Sequence, residues 1–170
     1  MTLSTQTRRA LFSIAVLIAL AAPGLAQADA VSKLVPMDDA IEAQATILGA
    51  GQGATLKNSP WLISDLPRLG TTPVLRLKGM TPDTKGAILA GVGTQDPVSL
   101  PDTVQLYLDI DVSDTWMAIP YKANSAGGYS LPIALPNASI LMGVSVTFQA
   151  FGPVLDQAEI TNGLNWVLGV

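Results

Sequence analysis

From Trp61 onward, apolar and polar residues alternate with a period of two. The clearest stretch is "VQLYLDIDV", where Val104, Leu106, Leu108, Ile110 and Val112 alternate with Gln105, Tyr107, Asp109 and Asp111. Successive side chains of a strand point to opposite faces, so this spacing predicts one face toward a core and the other, with Tyr107, Asp109 and Asp111, toward water. "TPVLRLKG" repeats the pattern, with Leu75 and Leu77 inward and Arg76 and Lys78 outward. "GAILAGV" (86–92) is apolar on both faces and predicts a central strand, whereas Pro132 in "GGYSLPIALP" removes a ladder donor and predicts an edge. "VSVTFQAF" places Val144, Val146, Phe148 and Ala150 on one face; "GLNWVLG" does the same for Leu164, Trp166 and Leu168, leaving Gln149 and Asn165 on the opposite, outer side. With 115–121 added, there are about eight short strands, separated by the turn signals Thr81-Pro82-Asp83, Asn124-Ser125-Ala126-Gly127 and Asn162-Gly163. The pattern predicts an all-β domain over 59–170, an antiparallel β-sandwich of jelly-roll type.

The chain before residue 59 has a different texture. Residues 37–48, "MDDAIEAQATIL", suit a short helix, because Asp39 and Glu42 have capping-box spacing and Gly49 can close the end. "GAGQGATLKNSP" follows as a glycine-rich connection whose glycines match neither the phosphate-loop nor the dinucleotide spacing. Residues 29–58 are thus a lead segment. Residues 1–28 have the form of a secretory signal peptide: Arg8 and Arg9, an apolar run from Ala10 to Ala22, and the small-residue ending Ala26-Gln27-Ala28. Cleavage is expected after Ala28, with Ala30 as the alternative, and the arginine pair also admits a twin-arginine reading. The apolar run falls short of the roughly 20 residues that a membrane span needs. The expected destination is the periplasm or the cell exterior, with no membrane span.

Composition narrows the chemistry. The chain has no cysteine and no histidine. Disulfides, thiol nucleophiles and thiolate metal sites are therefore excluded, and so is the side chain most used for acid–base work near neutral pH. Beyond residue 28 there are five lysines and two arginines against eleven aspartates and two glutamates. That acidic balance disfavours nucleic-acid binding, which needs a clustered basic surface.

Three constellations remain. Asp109, Asp111 and Asp114 in "DIDVSD" resemble the start of a calcium loop, although its glycine and later glutamate are missing. On a strand, Asp109 and Asp111 would lie roughly 7 Å apart, wider than the ~5 Å that oxygens sharing one Ca²⁺ span. A solvated strand face is the competing reading. Trp61 and Trp116 fall near strand ends, where an indole could stack on a sugar with Tyr107 or Asp109 beside it; Trp166 shares the inward face and reads as core. Asp156, in the last polar connection, is a further candidate ligand contact. A hydrolase would need paired carboxylates, with Asp109 or Asp156 beside another acid, and the glutamates fall in the lead segment (Glu42) and the last loop (Glu159).

Two long stretches carry a resemblance. "GAGQGATLKNSPWLISDLPRLGTTPVLRLKGMTPDTKGAILAGVG" and "GGYSLPIALPNASILMGVSVTFQAFGPVLDQAEITNGLNWVLG" resemble a family of uncharacterised exported bacterial domains with a "LPLPIPN … YAQA … VLD … SNGL…G" pattern. Leu131, Pro132, Ile133, Leu135, Pro136 and Asn137 match the proline-rich segment, and Gln149 and Ala150 match the "QA". Val154, Leu155 and Asp156 match the "VLD", and Asn162, Gly163, Leu164 and Gly169 the close. Phe151 and Gly152 interrupt the usual spacing, and the cysteines frequent in the family are absent. The resemblance implies an antiparallel β-sandwich on secreted or surface proteins and brings no catalytic residues. The expected function is a non-catalytic module for contacts with an extracellular or envelope protein, with self-association through an edge strand near Leu131–Leu135. The alternatives are a lectin-like, Ca²⁺-assisted glycan-binding domain and, behind it, a paired-aspartate hydrolase.

Overall fold

The computed structural model describes residues 40–53, 59–93, 98–99, 105–107, 116–152 and 158–170. The expected signal peptide lies outside these residues. Among them no helix is long and apolar enough to cross a membrane. The strands are β1 (Gln44–Leu48), β2 (Trp61–Ser64), β3 (Val74–Lys78), β4 (Lys85–Val92), β5 (Val98–Ser99), β6 (Gln105–Leu106), β7 (Trp116–Lys122), β8 (Tyr129–Pro132), β9 (Ser145–Gly152), β10 (Glu159–Ile160) and β11 (Gly163–Val167). A single 3-10 turn, Ser139–Leu141, precedes β9 among the described residues. The fold is all-β and its strand pairs are antiparallel.

One sheet has the order β1-β11-β9-β4-β7, with β10 beside β9; a second has the order β2-β3-β8, and β5 and β6 pair with each other. β4 is central and β8 is an edge, as the apolar run and Pro132 predict. The two larger sheets pack face to face. Leu62, Leu75 and Leu77 of the second sheet join Ile88, Ala90, Val146, Phe148, Ala150, Leu164 and Trp166 of the first in one buried cluster. Phe148 and Trp166 meet edge to face at 4.8 Å between ring centroids, and the indole Nε1 donates to Ser64 Oγ at 2.6 Å, tying the two layers together.

The expectations for the lead segment and for two strand faces are corrected. The helix over 37–48 does not form where the structure describes it: Gln44–Leu48 is a strand paired residue for residue with β11, from Gln44 opposite Val167 to Leu48 opposite Gly163. A five-residue ladder with the β-branched pair Thr46-Ile47 outweighs a capping signal whose Asp39 lies outside the described residues. Tyr107, expected on a water-facing side, is 5% exposed. Gln149 and Asn165, expected on the outer face, are buried as well.

For Tyr107 and Gln149 the physical reason is a third layer. Gln149 Oε1 accepts from the Tyr107 backbone N–H at 3.1 Å, and its Nε2 donates to the carbonyls of Gln105 (2.8 Å) and Thr161 (3.0 Å). One amide thus anchors the β6 backbone over the reverse face of β9. Tyr107 packs against Gly163, where any Cβ would come within 2.9 Å of its ring. Asn165 Nδ2 donates to Ser145 Oγ and Thr147 Oγ1 on the neighbouring strand. The buried Gln149 amide is tolerated because both its donor and its acceptor are matched.

Glu159, expected in a loop, is fully buried in β10, where its carboxylate accepts from the Thr81 N–H at 2.9 Å and hydroxyl at 2.6 Å. On the surface, Arg76 pairs with Asp65 at 2.7 Å, and the hydrogen bond from that guanidinium holds the Asp65 carboxyl below the ordinary range. Tyr121 is buried beside Tyr129. Burial, and then the negative charge of Glu159, push its hydroxyl well above the ordinary value of a tyrosine. The folded state therefore holds this proton more tightly than the unfolded chain does. Its contribution is complete below about pH 10 and is lost as pH rises beyond that value. An alkaline melting series should show stability falling above about pH 10 in the wild type and a shallower fall in Tyr121→Phe; identical slopes would show that Tyr121 does not carry the effect.

Candidate functional site

The sequence-predicted contacts do not converge on one described site. Trp61 opens β2 on its exposed side, opposite Lys78, and is 40% exposed. Tyr107 is buried and its hydroxyl donates to Gln105 Oε1 at 2.6 Å. Trp116 opens β7, but its side chain lies outside the described residues, as do Asp109, Asp111, Asp114 and Asp156. The calcium and paired-aspartate constellations therefore fall outside the described structure. A cleft of about 230 Å³ is lined by Ala50, Gly51, Gln52, Gln105, Ile160 and Thr161. It is smaller than the roughly 300–1,000 Å³ of typical small-molecule pockets. Its walls are largely committed to structure: Gln52 and Ile160 exchange backbone hydrogen bonds at 2.6 and 2.8 Å, and the Thr161 hydroxyl bonds to the backbone of Ala150 and Asn162.

The sheet edges are more informative. An exposed edge strand offers unpaired N–H and C=O groups to any extended chain, and proteins usually blunt such edges. In an antiparallel strand alternate residues direct both backbone groups to the same side, so the observed bonds show which residues face outward.

For β7, Ala123 donates to Thr84 at 2.8 Å across the β4 side. Residues 116, 118, 120 and 122 therefore face outward. Pro120 places a missing donor there, and exposed Lys122 adds a charge. For β8, Ile133 donates to Pro73 at 2.9 Å toward β3, so Pro132 has its missing donor on the open side. For β2, Asp65 donates to Val74, so Leu62 faces away from β3. Its N–H and C=O are both taken by the side chain of Asn162, at 2.8 and 2.9 Å. Each of these three edges is interrupted, by a proline in β7 and β8 and by a side-chain amide in β2.

β1 is different. Leu168 donates to Val144 on the β9 side at 2.9 Å, so Val167, Asn165 and Gly163 direct their backbone groups toward β1. They meet Gln44, Thr46 and Leu48, which leaves the groups of Ala45 and Ile47 on the outward side. Among the described residues nothing bonds to these groups. The strand contains no proline and no charge, and Ile47 is 48% exposed although its cross-strand neighbour Leu164 is buried. Sequence reasoning gave an edge candidate near Leu131–Leu135, where β8 is an edge, and missed this one. The available signals were Thr46-Ile47, a β-branched pair, and the stretch from Ala43 to Leu56, which has no charged residue.

No protein-family model matches the chain, and no curated protein is significantly similar to it.

Proposed function

We propose that this protein is a non-catalytic exported module that makes protein–protein contacts by adding an extended strand to β1. The observation that carries this reading is the outward row of backbone groups at Ala45 and Ile47, unpaired among the described residues on a strand with no proline or side-chain amide to interrupt it, as β2, β7 and β8 have. Strand addition takes its affinity from main-chain hydrogen bonds and its selectivity from alternate side chains. The resemblance to secreted bacterial sandwich domains supports the same reading, as does the secretory form of residues 1–28. The edge in use is β1 rather than β8, because Pro132 removes from β8 the donor an added strand would need.

Ala45→Pro is the matched test. The N–H it deletes faces outward, so the ladder to β11 is left intact, whereas the added strand loses a donor and meets the proline ring. Capture of envelope proteins on immobilised protein is expected to fall by about tenfold or more, one 1.4 kcal/mol step, with the melting temperature nearly unchanged. Equal capture by a folded Ala45→Pro variant would refute strand addition at β1.

A further inference from the structure

We infer that β1 pairs with β1 of a second copy of this chain, antiparallel, about a two-fold axis through Thr46. The inference rests on the strand-addition reading and specifies its partner. Centred on Thr46, the pairing sets Ala45 opposite Ile47 of the second copy, and Ile47 opposite Ala45. These are the two residues whose backbone groups face outward, so every outward N–H and C=O of the strand is satisfied. Neighbouring registers are poorer. Centring on Ala45 would recruit Ala43, whose N–H already reaches the Val170 carbonyl at 3.4 Å. Centring on Ile47 would recruit Gly49, which has left the strand at φ 64°.

The side chains of β1 are self-complementary in the same register. Ala45 and Ile47 share the core-side face, where Ala45 packs against the buried cluster. Small Ala45 then lies opposite exposed Ile47, and the apolar layer continues across the axis. On the other face Thr46 meets its own copy, a favourable cross-strand pair, and Gln44 meets Leu48. Charge permits the match. The whole chain carries a net charge of −4, so two copies repel at long range, yet no charged residue lies between Glu42 and Lys57 to oppose contact at the edge. The proline and amide caps on β7, β8 and β2 also disfavour head-to-tail chains that would join β1 to another edge, leaving the closed two-fold dimer. A five-residue strand makes a small interface, below the ~1,200 Å² of stable complexes, so the dimer is weak and concentration-dependent.

The chain has no cysteine, so single-cysteine cross-linking reads the register directly. In this register Thr46 lies opposite its own copy as a non-hydrogen-bonded pair with Cα atoms about 4.5 Å apart, within disulfide reach. Gln44 is opposite Leu48, which places the two Gln44 residues about 14 Å apart, beyond it. Under mild oxidation at protein concentrations up to ~1 mM, Thr46→Cys is expected to give about tenfold or more covalent dimer than Gln44→Cys, because the thiols are held together in the associated state. Thermal melts of both reduced variants verify that they are folded. Equal cross-linking by the two would overturn the register, and absence of covalent dimer from folded Thr46→Cys would overturn the second copy as partner. In that last case, capture of envelope proteins that is still lost in Ala45→Pro would leave strand addition standing with a different partner; loss of both results would remove both.

Discussion

Replacing Asn162 with alanine is expected to lower the unfolding free energy by about 3–5 kcal/mol, a large fraction of a typical domain's stability. The side chain is fully buried and substitutes for a missing strand. Its Oδ1 accepts from the Leu62 N–H, and its Nδ2 donates to the carbonyls of Leu62 and Gly163, all within 2.8–2.9 Å. Leu62 is itself fully buried, so alanine would strand one donor and one acceptor away from water. Each such orphan costs about 1–3 kcal/mol. Asn162→Asp should be as damaging, because its second oxygen would face the two carbonyls that the amide now satisfies. In urea the midpoint should fall with an unchanged slope, and exchange of the Leu62 amide hydrogen should accelerate beyond the global change. A loss below about 1 kcal/mol would mean that the β2 edge does not depend on this amide. The variant should also gain self-association, since a second edge would have been opened.

That amide marks where local pattern stops being informative. Alternation suffices for β3, β9 and β11, because an apolar residue at every second position has few other places to go, a run apolar on both faces identifies β4 as central, and Pro132 alone identifies β8 as an edge. Trp166 is legible for the same reason: Leu164 and Leu168 fix its face. Asn162-Gly163 reads as a turn, yet the Asn162 side chain works on Leu62, a hundred residues away in the sequence. β1 is hidden for a related cause. Its partner β11 follows more than a hundred residues later, so the nearby capping pattern is the stronger local signal and points to the wrong element. Gln149 and Asn165 alternate as water-facing residues should. Only a layer folded over β9, with backbone groups for the Gln149 amide to bind, makes burying it favourable. The candidate site follows the same division. Prolines that close an edge are visible in the sequence, whereas an open edge is defined by what fails to pair with it, and that requires the complete sheet order.

The second large effect is expected at Trp166. Trp166→Ala should cost about 3–5 kcal/mol, the range for truncating a buried aromatic side chain. The indole is fully buried, meets the Phe148 ring edge to face, and lies in register between Ala45 of β1 and Val146 of β9. Its volume and its N–H contribute separately. Trp166→Phe keeps most of the apolar volume and removes the donor to Ser64, so it should cost about 1–3 kcal/mol. A double-mutant cycle with Ser64→Ala isolates that hydrogen bond, for which a coupling of about 1 kcal/mol is expected. A Trp166→Ala loss under about 2 kcal/mol would show that neighbouring side chains refill the space. The position also links core to edge. Ala45 rests beside the indole, so truncating Trp166 removes the packing that holds β1 against the sheet, and an edge strand with five ladder positions has little else to hold it. Introduced into the Thr46→Cys background, Trp166→Ala should therefore reduce the covalent dimer by more than its effect on global stability accounts for. Trp166→Phe, which retains the ring beside Ala45, should leave the cross-linking yield close to that of Thr46→Cys alone.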